Sequence, residues 1–209
     1  MKILQESIAF QYNKKLNDLS TKVLGKNYIY FKEIDSTQKE IWRKIENKSI
    51  VNGTLIRAET QTAGVGTFGR KWYTSENNIA FSFYLKLNFD VEKLDGLTIK
   101  IAEIIAKTFK EKYAVKIDIK EPNDLYVRGK KLGGILTETK IKGNIAKYLV
   151  IGIGINNSQI IFNDELKEIA TSLKKEYDFE INVEEFIVCF CNEFEKIIFE
   201  RIEDIIEWK

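Results

Sequence analysis

The sequence predicts an α/β domain of the α+β type: a mixed, mostly antiparallel sheet with helices packed on one face. Three observations carry this. First, apolar and polar residues alternate with a period of two in several short segments. In one of them Ile79, Phe81, Phe83, Leu85 and Leu87 alternate with Ala80, Ser82, Tyr84 and Lys86. Second, two long stripes recur at helical spacing, through Leu94, Leu97, Ile101, Ile104, Ile105 and Phe109, and through Phe186, Ile187, Phe190, Phe194, Ile197 and Ile198. Third, Arg128-Gly129-Lys130 separates two strand-like runs, which is a hairpin signal.

Residues 1–27 hold a loose helical pattern through Leu16, Leu19 and Val23 and read as a short lead-in to a main domain over 28–209. Residues 28–34 form a first strand. Asp35-Ser36-Thr37-Gln38 then starts a helix, with Asp35 or Ser36 as cap, Gln38 reaching back, and Ile41 and Ile45 facing inward. Residues 54–58 make a second strand and 78–87 a third. After the helix over 94–109 come strands at 116–120, 125–127, 131–139 and 144–156. The chain's single proline, Pro122, interrupts this series in Glu121-Pro122-Asn123-Asp124. Asn182 with Glu185 starts the last helix.

The totals exclude several classes. Charge is nearly balanced, at formal +2, so nothing favours nucleic acid or a membrane surface. No apolar run approaches spanning length and the N-terminus lacks a signal-peptide core, so the expectation is a soluble, cytoplasmic chain. Histidine is absent, which removes Ser-His-Asp and Cys-His catalysis and imidazole zinc sites. Cys189 and Cys191 lie two apart in a helical pattern and point in different directions, so they read as small core residues. Chemistry must come from lysine, arginine, carboxylates and backbone.

The stretch from Glu59 to Trp72 is where such chemistry concentrates. Gly64, Gly66 and Gly69 let backbone approach a ligand, Arg70 and Lys71 add two cations, and Trp72 adds a flat ring. Glycines with cations suit a phosphate, and the aromatic suits a base. No Lys-Ser or Lys-Thr follows, so it is not a Walker loop. Gly64-x-Gly66-x-x-Gly69 fits the letters of the dinucleotide fingerprint, but a strand follows it where that motif needs a helix. Four further segments sit at strand ends or turns: Asp35-Ser36-Thr37, residues 120–124, residues 131–136 and residues 152–156. Taken singly, Ser36 reads as a cap, Asn123-Asp124 as turn chemistry, Lys131 as a strand-edge lysine and Asn156 as a strand end.

Together and in this order the five segments resemble the biotin protein ligase family, over roughly residues 28–209. Asp35-Ser36-Thr37 resembles its Asp-Ser-Thr element and Gln61 to Trp72 its Gly-rich biotin loop. Pro122-Asn123-Asp124 resembles its Lys-Trp-Pro-Asn-Asp motif, residues 129–136 its lysine strand, and residues 152–156 its Gly-x-Gly-Ile-Asn strand.

The resemblance implies a class II synthetase-like catalytic domain. It would use ATP with Mg²⁺ to turn biotin into biotinyl-5′-AMP, then transfer biotin to a lysine of a biotin carboxyl carrier domain of acetyl-CoA carboxylase. It implies catalytic roles for Lys131, Arg70, Asn123 and Asp124, with Asp124 near the Mg²⁺ that accompanies ATP. It assigns biotin to Ser36, Thr37, Gln61, Gly64, Gly66, Lys131, Gly134, Leu136 and Gly152. It assigns the nucleotide to Thr67, Phe68, Gly69, Arg70, Lys71, Trp72, Asn123 and Asn156. It leaves a homodimer open and implies no nucleic-acid role, since no recognition helix precedes residue 28.

Three departures stand out. Val65, Thr67 and Phe68 replace loop arginines, Glu121 replaces the tryptophan before proline, and the chain stops at Lys209 where many members continue into a β-barrel. The competing readings are a lipoate or octanoate ligase or transferase of the same architecture, and a non-catalytic biotin- or nucleotide-binding homologue.

Overall fold

The computed structural model describes residues 11–14, 16–74 and 76–202. Residues 1–10 of the expected lead-in, and the chain end with Glu207 and Trp208, lie outside the described residues. Strand β1 (Gln11–Lys14) is followed by β2 (Tyr28–Ile34), α1 (Thr37–Glu46) and β3 (Leu55–Gln61). A small ribbon, β4 (Gly64–Val65) and β5 (Lys71–Trp72), brackets a 3-10 turn at Thr67–Gly69. Next come β6 (Ile79–Asp90), α2 (Leu97–Tyr113), β7 (Asp118–Lys120), β8 (Asp124–Val127), β9 (Lys130–Lys142) and β10 (Ile145–Ile155). The short α3 (Leu173–Tyr177) and the long α4 (Val183–Ile202) complete the described chain.

Eight strands form one sheet in the order β1-β2-β3-β6-β10-β9-β8-β7. Among the named strands of the described residues only β2 and β3 pair in parallel, and α1 supplies the crossover that a parallel pair requires. The other neighbours in the sheet are antiparallel, so the mixed, mostly antiparallel expectation holds. The hairpin signal also holds. Arg128 and Gly129 join β8 to β9 with both φ angles positive, at 50° and 80°, the combination a two-residue hairpin turn needs.

The two faces of the sheet differ in kind because successive strand residues point to opposite sides. One face carries Phe81, Phe83, Leu85, Ile135, Ile151 and Ile153, all buried against Phe109 of α2 and Phe186, Phe190 and Phe194 of α4. The Phe83 and Phe194 rings meet edge to face at 5.1 Å. The intervening residues form the opposite face. There Ile29, Phe31, Ile56, Tyr84 and Val150 pack against Ile41, Trp42 and Ile45 of α1. Beyond α1 this face carries the small residues Ala80, Ser82, Gly134, Gly152 and Gly154 on adjacent paired strands, with Leu136 beside Gly152.

Two expectations change. The long helices share one face as expected, but α1 covers part of the other, because its stripe through Ile41 and Ile45 faces the Ile29–Ile56 side. The helical pattern through Leu16, Leu19 and Val23 forms turns instead of a helix. Leu16 and Leu19 pack against the main core. The backbone N–H groups of Lys22, Val23 and Leu24 all donate to the buried Glu195 carboxylate of α4, so those donors bond to a distant helix and not along the chain.

Candidate active site

The small residues on the α1 face leave a cavity of about 380 Å³. Its floor is the centre of β6, β10 and β9. Its walls are the start of α1, the Gln61–Tyr73 loop, the β7–β8 turn and the chain from Asn156 to Ala170. A side chain on Gly154 would occupy this space: a Cβ there would lie 2.5 Å from the Trp72 indole nitrogen. The glycine is what lets the ring approach the sheet so closely.

One end of the cavity is polar and closed. Ser36 is the N-cap of α1, extended at φ −162°, and its hydroxyl accepts from Lys39 N–H at 3.4 Å. Gln38 does not reach back to the cap as the sequence suggested. Its amide crosses to β9 and β10, donating to Glu138 Oε2 at 2.8 Å. Thr37 instead links the helix to the loop: its N–H donates to Gln61 Oε1 at 2.8 Å, and its hydroxyl lies 2.8 Å from Ser82 Oγ. Gln61 Nε2 donates onward to Thr74 Oγ1 at 3.1 Å. Asp35 anchors this corner by accepting two hydrogen bonds from Arg43. That guanidinium holds the Asp35 carboxyl below the usual aspartate range.

The other end is cationic. Lys131 Nζ pairs with Asp124 Oδ1 at 2.6 Å, and the carboxylate holds the ammonium in place by a charge-assisted bond. Lys131 backbone is fixed from both sides, its N–H donating to Ile169 O and its carbonyl accepting from Thr171 N–H. Asn123 Nδ2 donates to Ile135 O, and Asn156 Nδ2 to Thr171 O, so these amides brace the wall while lining the cavity. Arg70 is exposed and bonds Thr67 through its own loop, Nη2 to Thr67 Oγ1 at 2.8 Å.

Most of the residues named from the sequence therefore converge. Ser36, Thr37, Gln61, Gly66, Thr67, Arg70, Lys71, Trp72, Asn123, Asp124, Lys131, Gly134, Leu136, Gly152 and Asn156 all line the cavity. Three do not. Gly64 lines an adjoining recess of about 300 Å³ behind the loop. Phe68 sits at the tip of the turn with φ 57° and 99% of its surface exposed, so its ring covers no cavity, and Gly69 is beside it. The Arg70 guanidinium lies 5.9 Å from the Phe68 ring. Sequence reasoning missed Gln38, Ser82, Lys120 and the rim residues Phe162, Leu166 and Ile169. Ser82 could have been found as a small polar residue breaking an aromatic strand. Nothing local marks the other rim positions. Among the described residues no group of three or more carboxylates and cysteines is placed to hold a metal ion. No helix there is long and apolar enough to cross a membrane.

The fold and cavity define a class: a sheet-floored pocket with a neutral polar end and a cationic end, where Lys131 of β9 is held by Asp124. Residues 30–156 match the Biotin/lipoate A/B protein ligase family, and the chain belongs to that family. It is 36% identical over 179 residues to the bifunctional ligase/repressor BirA of Bacillus subtilis, covering 82% of this chain and 55% of that protein. It is 29% identical over 143 residues to the biotin–[acetyl-CoA-carboxylase] ligase of Mycobacterium tuberculosis, covering 66% of this chain and 51% of that one. The chain thus spans about half the length of these curated relatives. Among solved structures it is similar to the biotin protein ligase of Aquifex aeolicus in complex with biotin and ATP, with TM-score 0.68 and 29% identity over 84% of this chain and 72% of that one.

Proposed function

We propose that this protein is an ATP-dependent biotin protein ligase. The observation that supports it best is the cavity's polarity. One closed end offers neutral hydrogen-bonding groups (Ser36, Thr37, Gln61) and the other gathers Lys131, Arg70, Lys71 and Lys120. That is the pattern for an uncharged polar ring whose carboxylate arm meets the α-phosphate of a nucleoside triphosphate.

The ring would lie at the closed end over Gly152 and Leu136, with Gly66 and Gly134 admitting its carboxylate arm toward Lys131. A carboxylate oxygen attacks the α-phosphorus, pyrophosphate leaves, and biotinyl-5′-AMP forms. Both partners are anionic, so a positioned cation offsets their repulsion and stabilises the charge of the transition state. Lys131 takes that role because Asp124 and the strand backbone fix it. Arg70 grips phosphate oxygens in pairs. Trp72, seated close over Gly154, takes the adenine face. Asn123 and Asn156 hold the ribose and phosphate side. Mg²⁺ would accompany ATP and offset phosphate charge, and Asp124 is the residue proposed to lie near it. In the second half-reaction a lysine amine of a biotin carboxyl carrier domain, with that of acetyl-CoA carboxylase as the proposed acceptor, attacks the acyl carbon and AMP leaves.

Biotin-dependent exchange of labelled pyrophosphate into ATP tests this reading. Exchange that needs biotin supports it. Exchange that needs lipoate or octanoate instead, or none with any acid, overturns it.

A further inference from the structure

The amide of Gln38 is held in one orientation, and that orientation carries information. Gln38 is only 4% exposed. Its Nε2 faces two acceptors, Glu138 Oε2 at 2.8 Å and the Val150 carbonyl at 3.4 Å. Glu138 and Val150 are directly paired across β9 and β10. Turning the amide over would set Oε1 against both acceptors and leave Nε2 without them, so the flipped state is disfavoured twice. Trp42 Nε1 also donates to Glu138 Oε2, at 2.7 Å, which fixes the carboxylate itself.

The consequence falls on the other side of the amide. Gln38 Oε1 is buried and has no hydrogen-bond partner among the described residues. It lies over Gly152, where a Cβ would come within 2.7 Å of it and 3.2 Å of Ser82 Oγ. Both Gln38 and Gly152 line the closed end of the cavity. A buried acceptor without a partner is costly unless something donates to it.

We propose that Glu138 is a positioning residue for substrate choice. Through Gln38 it aims a fixed carbonyl at the closed end, so that the site selects an acid whose ring carries N–H donors and rejects one whose ring has none. This rests on the biotin reading above: a cyclic urea supplies such donors and a dithiolane or an alkyl chain does not. Neither Glu138 nor Trp42 needs to touch the substrate.

Titration calorimetry with biotin and with lipoate tests this, using the full chain, Gln38→Met, Glu138→Gln and the double variant. Removing either the acceptor or its lock should weaken biotin about tenfold, the loss of one well-placed hydrogen bond. The KM for ATP should stay within about twofold. The double variant should lose no more than either single one, because both act on the same carbonyl. The ratio of biotin to lipoate affinity should fall with biotin affinity. Glu138→Asp, which keeps an acceptor-only group, should recover part of the loss. Additive losses, equal effects on biotin and ATP, or an unchanged biotin-to-lipoate ratio would overturn the positioning role. Biotin that fails to bind the unaltered chain overturns the ligase reading first, and is thereby distinct from biotin that binds all four proteins equally, which overturns only the role of Glu138.

Discussion

The two faces of the sheet are made from the same strands and do opposite things. In β6 the odd positions Phe81, Phe83 and Leu85 fill one side, while Ala80 and Ser82 leave the other nearly bare. In β10, Ile151 and Ile153 alternate with Gly152 and Gly154 in the same way. One face is covered by α2 and α4 and carries stability. The other is covered by α1 over part of its length and is otherwise the floor of the cavity. A single residue step along a strand therefore moves from fold to function, and the two sets of positions should respond to substitution in different currencies.

Cutting into the large face should give the largest loss of stability. Phe83 is fully buried among Phe81, Phe190 and Phe194. We expect Phe83→Ala to lower unfolding free energy by about 3–5 kcal/mol, measured by urea denaturation. A loss under about 1 kcal/mol would mean this face is not the main core.

Lys131→Ala should do the reverse. We expect adenylate formation to fall about 10²–10³-fold, as for loss of a group acting on transition-state charge, with the urea midpoint almost unmoved. Pyrophosphate exchange measures it, and near-normal exchange would remove Lys131 from the chemistry.

Filling the bare face tests the floor directly. Gly154→Ala places a methyl where the Trp72 ring lies. The ring must shift, and the KM for ATP should rise roughly tenfold, in line with about 1–3 kcal/mol for base stacking. If ATP affinity is unchanged while stability collapses, the glycine serves packing and not the nucleotide.

The smallest effect concerns the rim, where Val65, Thr67 and Phe68 supply no charge. Charge-assisted bonds contribute roughly 1.5–3 kcal/mol each, so the adenylate should be held on the order of tenfold less tightly than with one more arginine. Escaped adenylate would label bystander lysines in the presence of biotin and MgATP. Thr67→Arg should reduce that labelling; no labelling by the natural chain, or no change on substitution, refutes the leak.

Much of this division could be read in advance. The strand alternation, the helical stripes and the hairpin turn are local patterns, and local patterns survive into the fold. The five motif segments located the cavity because four of them end strands or turns that the sheet brings together. What escaped depends on distant partners. Gln38 looked like a capping residue because its true partner, Glu138, is 100 positions away. Residues 16–23 looked helical because their apolar spacing fits a helix, but the N–H groups of Ser20, Lys22 and Val23 bond to Asn192 and Glu195 of α4, far along the chain. The resemblance puts Phe68 against the nucleotide, but at the loop tip it has a positive φ and its ring lies in solvent.

On the proposed reading the bare face takes one ring-bearing acid and a nucleotide together. The most direct measurement is the thermal midpoint of the unaltered chain with biotin, lipoate or octanoate, each with and without MgATP. A ligand at a hundred times its dissociation constant adds about 2.7 kcal/mol of stability. Biotin alone should raise the midpoint, and biotin with MgATP should raise it further as the adenylate spans both ends of the cavity. A larger shift with lipoate or octanoate, or no added shift from MgATP in the presence of biotin, would contradict it.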